Sequence, residues 1–402
     1  MSIAREGRPG HIPELDGIRG WACLSVIILH CLSGITSNDV PGVAFFNTHT
    51  LWFFLGGVDL FFVLSGFLIG GILLDSKEKP HFFSRFWIRR IGRIVPVAYL
   101  VFATYAVALL VVTHFNITRF DTWLLQEPRA PFWTFPLFMQ SLPIAFNGFD
   151  GPRWVAMSWS LAIEEQFYML FPFLVYLLPR KRLVAVVIVG IVAAPILRDV
   201  LERYFGYWYG PYVLLPSRMD AILYGVAVAL IVRNETVFAL ACRFRRWLDV
   251  FALLFLVVML GNWRWPIWPG PSDIPPLKQS MLAIMFSIVI LRVFTYRSGG
   301  IHNRIWRNTI LSKIGLISYA LYMYHQTVNG LVHGILFDRE PKIAEWEHLL
   351  AAVAVVAISI GLATLSYIYF ETPIRRYAAA LAGTIGSTRP LVGPARGAGG
   401  GE

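Results

Sequence analysis

The chain is short of charge. Only 15% of its 402 residues are Asp, Glu, Lys or Arg, against about 25% in an ordinary soluble domain. Acidic residues are the scarcer kind, 24 against 35 basic ones. With 56% hydrophobic residues and a mean hydropathy of +0.60, a soluble globular domain is excluded. Cysteine is scarce as well. Cys23, Cys31 and Cys242 are scattered in or beside apolar runs, so neither a disulfide framework nor a metal site is expected of them. No internal repeat is visible, which counts against a transporter assembled from inverted halves. The first ten residues are polar and no small-residue cleavage site ends the first apolar run, so no cleaved leader is expected.

What is present is a series of apolar runs near the ~20 residues that cross a bilayer. They fall at about 18–36, 52–75, 94–113, 158–178, 183–198, 219–232, 247–262, 279–296, 314–336 and 348–369. The fold class is therefore read as all-α, a polytopic membrane bundle of about ten transmembrane helices. The segment 132–146 is short and broken by proline, and reads as interfacial or re-entrant. Ten spans put both termini on one side, and 25 of the 35 basic residues then fall on that side. The positive-inside rule makes it the cytoplasm. Segments 76–93 and 233–246 are expected inside, 114–157 and the tryptophan-rich 263–278 outside. The net charge of +11 is explained by these loops, with no nucleic acid as partner. Residues 1–376 are expected to form the membrane domain. The Gly- and Pro-rich 377–402 is expected to be a disordered cytoplasmic tail.

Several ionisable residues lie at membrane depth, where they are costly and usually functional. Arg19 and His30 are eleven residues apart. At about 100° per residue they share a helix face, about 16 Å apart along the axis. A cation leading to a buried imidazole makes an anion site beside a general base. Asp59 lies in the second run and is expected to hold the imidazole's tautomer, as a carboxylate does in hydrolytic triads; the alternative is an aspartate at the outer interface.

Arg85, Arg89 and Arg93 recur every four residues among aromatics. Such a stripe suits a ligand with several phosphates and a flat ring, coenzyme A for example. It equally suits the anionic headgroups of membrane lipid. Ser160, Glu164 and Tyr168 share one face of the fourth run, suited to sugar hydroxyls or to orienting a base. Glu164 and Glu165 are consecutive, so at most one faces the same cleft. Arg218 and Asp220 are expected to pair at the outer boundary. Ser318, Tyr322 and His325 share a face of the ninth run. Each of these fragments, taken singly, is also explained by helix–helix hydrogen bonding.

Taken in order, the fragments resemble the membrane-bound acyltransferase 3 family, which O-acylates carbohydrates and related acceptors. The resemblance covers about residues 12–376. It rests on Leu15-Asp-Gly-Ile-Arg-Gly with Arg19 and His30, Gly57-Val-Asp-Leu-Phe-Phe-Val-Leu-Ser-Gly66, and the arginine helix ending in Pro96. Ser158-Trp-Ser-Leu with Glu164, Arg218-x-Asp220, Ser318-Tyr-x-Leu-Tyr-x-x-His325 and Glu371-x-Pro373 complete it. The resemblance implies about ten spans and an acyl group, usually acetyl, drawn from cytoplasmic acyl-CoA with no metal.

His30 would be the base that takes the acceptor's hydroxyl proton, or would carry the acyl group covalently. Arg19 would guide the CoA arm, and Asp59 or Glu164 would orient the imidazole. Arg85, Arg89 and Arg93 would hold the nucleotide. Ser160, Tyr168, Arg218, Asp220, Tyr322 and His325 would serve a carbohydrate or glycolipid acceptor at a bacterial inner membrane. Such an acceptor belongs to a cell-surface polysaccharide or lipopolysaccharide. Some members carry a further span and a fused hydrolase-like domain; with neither, the membrane domain is expected to act alone or with a partner. The alternative from another class is a transporter or flippase of an anionic or glycolipid substrate.

Overall fold

The computed structural model describes residues 12–32, 54, 56–117, 124–125, 130–148, 152–207, 209–264, 277–296, 301–343 and 345–385. Among them, ten helices have eighteen residues or more. We number these α1 (Pro13–Leu32), α2 (Gly57–Ser76), α3 (Phe82–His114), α4 (Ser158–Leu177), α5 (Arg180–Phe205) and α6 (Leu215–Val232). Then follow α7 (Arg245–Arg264), α8 (Lys278–Thr295), α9 (Thr309–Phe337) and α10 (Trp346–Ser366). Each overlaps one of the ten apolar runs. Seven helical stretches are long and apolar enough to cross a membrane on length and composition alone. The protein is an all-helical integral membrane protein, and the described residues contain no β-strand.

Local chemistry sets the helix ends. Pro13 opens α1, where its missing N–H costs nothing, and Glu14 and Asp16 sit in the favourable first turn. Asn308 caps α9, its side-chain oxygen accepting from the amides of Ile310 and Leu311 at 2.9 and 3.2 Å. Arg307 donates to Glu14 at 2.6 Å and ties the start of α9 to that of α1.

The centre of the bundle is α1, α2, α6 and α9. α1 lies along α9, and α2 along α6. Glycines permit the approach. A Cβ on Gly20 would stand 2.0 Å from the Leu311 carbonyl oxygen, and one on Gly66 would stand 1.8 Å from that of Ile222. With no hydrophobic drive between helices in lipid, such close backbone packing is what associates them. Gly66→Ala must push α2 off α6, and overpacking of this kind costs about 1–3 kcal/mol. A lowered thermal midpoint of the detergent-purified variant is the expected result; an unchanged midpoint contradicts the packing.

Around this centre, α3, α5 and α10 present large apolar side chains outward, among them Leu110, Val189 and Leu350. That is the surface a hydrocarbon solvent requires. The segment 132–146 does not cross as one helix. It forms a 3-10 turn, Phe132–Thr134, and a seven-residue helix, Ser141–Asn147, with Trp133 and Phe146 exposed. Gln166 of α4 donates to its Phe138 carbonyl at 3.0 Å and holds it to the bundle.

After α10 the helix widens into a π turn over Tyr367–Glu371 and continues as α11 (Thr372–Thr384), which packs on α3. Helix thus extends eight residues past 376, into the stretch expected to be tail. Residues 386–402 and the tryptophan-rich 265–276 lie outside the described residues.

Candidate active site

Five helices leave a cavity between them. α1 contributes Arg19, α2 Phe61 and Ser65, α3 Arg90 and Arg93, α4 Ser160, Glu164 and Tyr168, and α9 Ser318, Tyr319 and Tyr322. Its volume is about 100 Å³.

The face of α4 expected to act together does line one wall. The Tyr168 hydroxyl donates to Glu164 at 2.8 Å. One turn away, the Ser160 and Tyr322 hydroxyls are hydrogen-bonded at 2.6 Å. Glu165 points elsewhere, as consecutive helical residues must.

The cations gather beside Tyr168, about two turns along α4 from Ser160. Arg19 is held by Asp16 at 3.3 Å. Arg90 and Arg93 have no carboxylate at salt-bridge distance among the described residues. The Arg90 guanidinium lies 6.0 Å from the Tyr168 ring and 5.9 Å from that of Phe86. Three guanidiniums around one space repel each other unless an anion enters it.

Of the expected arginine stripe, only Arg93 reaches this cavity. Arg85 donates to the Ile385 carbonyl at 2.9 Å, beyond the end of α11, and Arg89 is exposed. The cause is helical drift. A spacing of four overshoots a turn by about 40°, so the stripe winds from the cavity toward the face that Gly92 packs on Ala378 of α11. Arg90, three residues before Arg93, falls on the cavity side. The pair Arg89-Arg90 gave no sequence reason to prefer the second.

His30 and His325 meet. Nδ1 of His30 is 2.7 Å from Nε2 of His325, across 295 residues of sequence. Nδ1 of His325 is 2.6 Å from the Tyr322 carbonyl oxygen. Neither imidazole lines the cavity itself. Tyr322 stands between, its ring 5.8 Å from that of His325 and 5.9 Å from that of Phe61. Asn329 donates to the His30 carbonyl at 3.4 Å. This meeting of two helices carries no signature in local sequence.

Two expectations are corrected. Asp59 does not orient His30: its carboxylate accepts from Arg218 at 2.9 Å, with both side chains 3% exposed or less. Arg218 and Asp220 do not pair with each other. Two residues apart on a helix they point to different faces, and Asp220 instead accepts from Arg198 of α5 at 2.9 and 2.8 Å. Ser280 of α8 donates to Asp220 at 2.5 Å. The Arg218 guanidinium lies 4.6 Å from the Tyr212 ring and 5.5 Å from that of Phe62. These four charges form a buried polar joint among α2, α5, α6 and α8, away from the cavity. Glu164 is in the cavity, but it accepts from Tyr168 and not from an imidazole.

A family model, acyltransferase 3, described as an acyltransferase domain, matches residues 12–368. The "Putative peptidoglycan O-acetyltransferase YrhL" of Bacillus subtilis (strain 168) is 31% identical over 388 residues. That is 91% of this chain and 55% of the relative. The peptidoglycan O-acetyltransferase OatA of Listeria monocytogenes is 27% identical over 401 residues, 91% of this chain and 56% of the relative. The chain thus spans a little over half the length of these relatives. No solved structure matches it. The Arg19–His30 helix, the Ser160–Glu164 face and the Tyr322–His325 face all fall inside the matched span, and the chain belongs to the acyltransferase 3 family of membrane acyltransferases.

Proposed function

We propose that this protein moves an acetyl group from cytoplasmic acetyl-CoA to a hydroxyl of a cell-surface carbohydrate, in a bacterial inner membrane. The observation that carries the reading is the two-ended cavity. Arg19, Arg90 and Arg93 line one end, and the Ser160–Tyr322 hydroxyl pair stands at the other, directly before the His30–His325 pair. The relatives named peptidoglycan O-acetyltransferases support a polysaccharide as acceptor.

The chemistry follows from the groups. A sugar hydroxyl is a poor nucleophile until its proton is removed, and imidazole is the side chain suited to that at neutral pH. In the proposed step His30 takes the hydroxyl proton as the oxygen bonds to the thioester carbonyl carbon. The carbon–sulfur bond then breaks, and the departing thiolate takes a proton back from the imidazolium. The Ser160 and Tyr322 hydroxyls, which bond each other and the Met157 carbonyl, would turn to donate to the carbonyl oxygen as it gains charge. The arginines hold the donor's phosphates.

Each charge-assisted phosphate contact contributes about 1.5–3 kcal/mol, and about 1.4 kcal/mol is a factor of ten. Arg90→Ala and Arg93→Ala should therefore each raise the KM for acetyl-CoA about ten-fold or more. Arg89→Ala, at an exposed position, should leave it unchanged. Equal KM values for all three variants would assign the arginines to lipid headgroups instead. The function itself is tested by incubating membranes with radiolabelled acetyl-CoA. Label is expected in the polysaccharide fraction, and not in membranes carrying His30→Ala. Label confined to lipid, or absent, would overturn the acceptor class or the activity.

A further inference from the structure

We infer that His325 is the positioning residue of the site: it fixes the tautomer of His30 so that Nε2 is bare and basic, the task an aspartate performs in hydrolytic triads. The inference rests on the acyl-transfer reading above for its consequence, but on geometry for its content.

One chain of hydrogen bonds sets the protons on both rings. A backbone carbonyl oxygen only accepts, so the 2.6 Å contact from His325 Nδ1 to the Tyr322 carbonyl requires the proton on His325 Nδ1. A neutral imidazole has one N–H, so Nε2 of His325 is left with a lone pair. That lone pair is 2.7 Å from Nδ1 of His30. Nδ1 of His30 must then be the donor, and its own Nε2 carries no proton. Both tautomers are thereby set by one peptide carbonyl on α9.

The ring geometry agrees. The two rings are inclined by only 3°, with centroids 5.0 Å apart. That separation is the 2.7 Å hydrogen bond plus the two ring radii. The imidazoles therefore lie edge to edge in nearly one plane, and the N–H of one is aimed along the lone pair of the other. They do not stack face to face. Among the described residues, Nε2 of His30 has no hydrogen-bond partner, which leaves it for the acceptor hydroxyl.

A carboxylate in place of His325 would hold the same proton, and would also stabilise the imidazolium by charge. A neutral histidine orients without adding a charge at membrane depth. When His30 gains a proton at Nε2, His325 still accepts at Nε2 and spreads the positive charge over two rings. Asp59 and Glu164 are both engaged elsewhere, by Arg218 and Tyr168, so His325 holds the place a carboxylate was expected to take.

Two measurements test this. The first is the ¹⁵N spectrum of histidine-labelled purified protein, with His30 and His325 identified by loss of signals in His30→Gln and His325→Gln. Protons on Nδ1 of both rings are expected, with coupling across the hydrogen bond. A proton on Nε2 of His30 would overturn the inference. The second is kinetic. His325→Gln places an amide oxygen near the lost Nε2 and keeps an acceptor for His30, so it should keep at least about a tenth of wild-type kcat.

His325→Phe keeps the ring and loses the acceptor. It should lower kcat about 10²-fold, the scale of a misplaced reacting group, with the KM for acetyl-CoA unchanged. Wild-type kcat in folded His325→Phe would overturn the inference, as would equal losses in His325→Gln and His325→Phe. Should His325→Phe fail to fold, the spectrum and His325→Gln decide. Wild-type turnover in His30→Ala would overturn the catalytic reading instead, and the position of the proton would still decide the pairing.

Discussion

His30→Ala is expected to lower kcat by about 10²–10⁴-fold, the usual cost of removing a general base. Binding of acetyl-CoA should be nearly unaffected. The two effects separate because the site separates them. His30 lies outside the cavity wall, behind Tyr322, while the guanidiniums of Arg19, Arg90 and Arg93 line the cavity. On the proposed roles, removing the imidazole takes away the proton acceptor and leaves the phosphate contacts in place. Folding should survive, since His30 is only partly buried and its backbone contacts, including the one from Asn329, are retained. Steady-state kinetics with wild-type and variant at equal amounts of inserted protein give the result. A His30→Ala enzyme that keeps more than about a tenth of wild-type kcat, well above the loss expected of a base, contradicts the role.

The second large effect concerns stability. Asp59→Ala should be strongly destabilising, by about 3–5 kcal/mol, because it leaves the Arg218 charge buried and uncompensated. Arg218 is 0% exposed and has no route to solvent short of moving α6. Asp59 is also its only salt-bridge partner among the described residues. Removing both charges is a different matter. The double variant Asp59→Leu with Arg218→Met leaves no orphan charge, and a buried pair replaced by apolar groups is often near neutral. The double variant should therefore recover most of the lost thermal midpoint. A double variant no more stable than Asp59→Ala would show that the pair contributes something other than mutual neutralisation.

Much of the bundle was legible because hydrocarbon thickness fixes the length of an apolar run. Each of the ten runs overlaps a long helix, and the short, proline-broken segment at 132–146 is indeed not one helix. Shared faces along one helix were also legible. The Ser160, Glu164 and Tyr168 side chains line one wall, as a spacing of four predicts. Contacts between helices were not. The His30–His325 hydrogen bond joins residues 295 apart, and periodicity says nothing of which face meets which. Asp59 was misread for the same reason. A buried carboxylate needs a cation, but its sequence does not say that the cation is Arg218 on α6. The arginine stripe shows the limit within one helix. Arg85, Arg89 and Arg93 are regular in sequence, yet only the rotation of α3 against α11 decides that Arg93 and Arg90 face the cavity.

On the proposed function, donor and acceptor occupy opposite ends of one path through the bundle, the arginine end and the histidine end. Sealed proteoliposomes decide this, with the protein in a known orientation, labelled acetyl-CoA on the arginine side and an oligosaccharide acceptor only on the other. Labelled acetyl ester is expected on the acceptor, with free CoA remaining on the donor side, and none of either in His30→Ala vesicles. Acetylation only when both substrates share one compartment would contradict it.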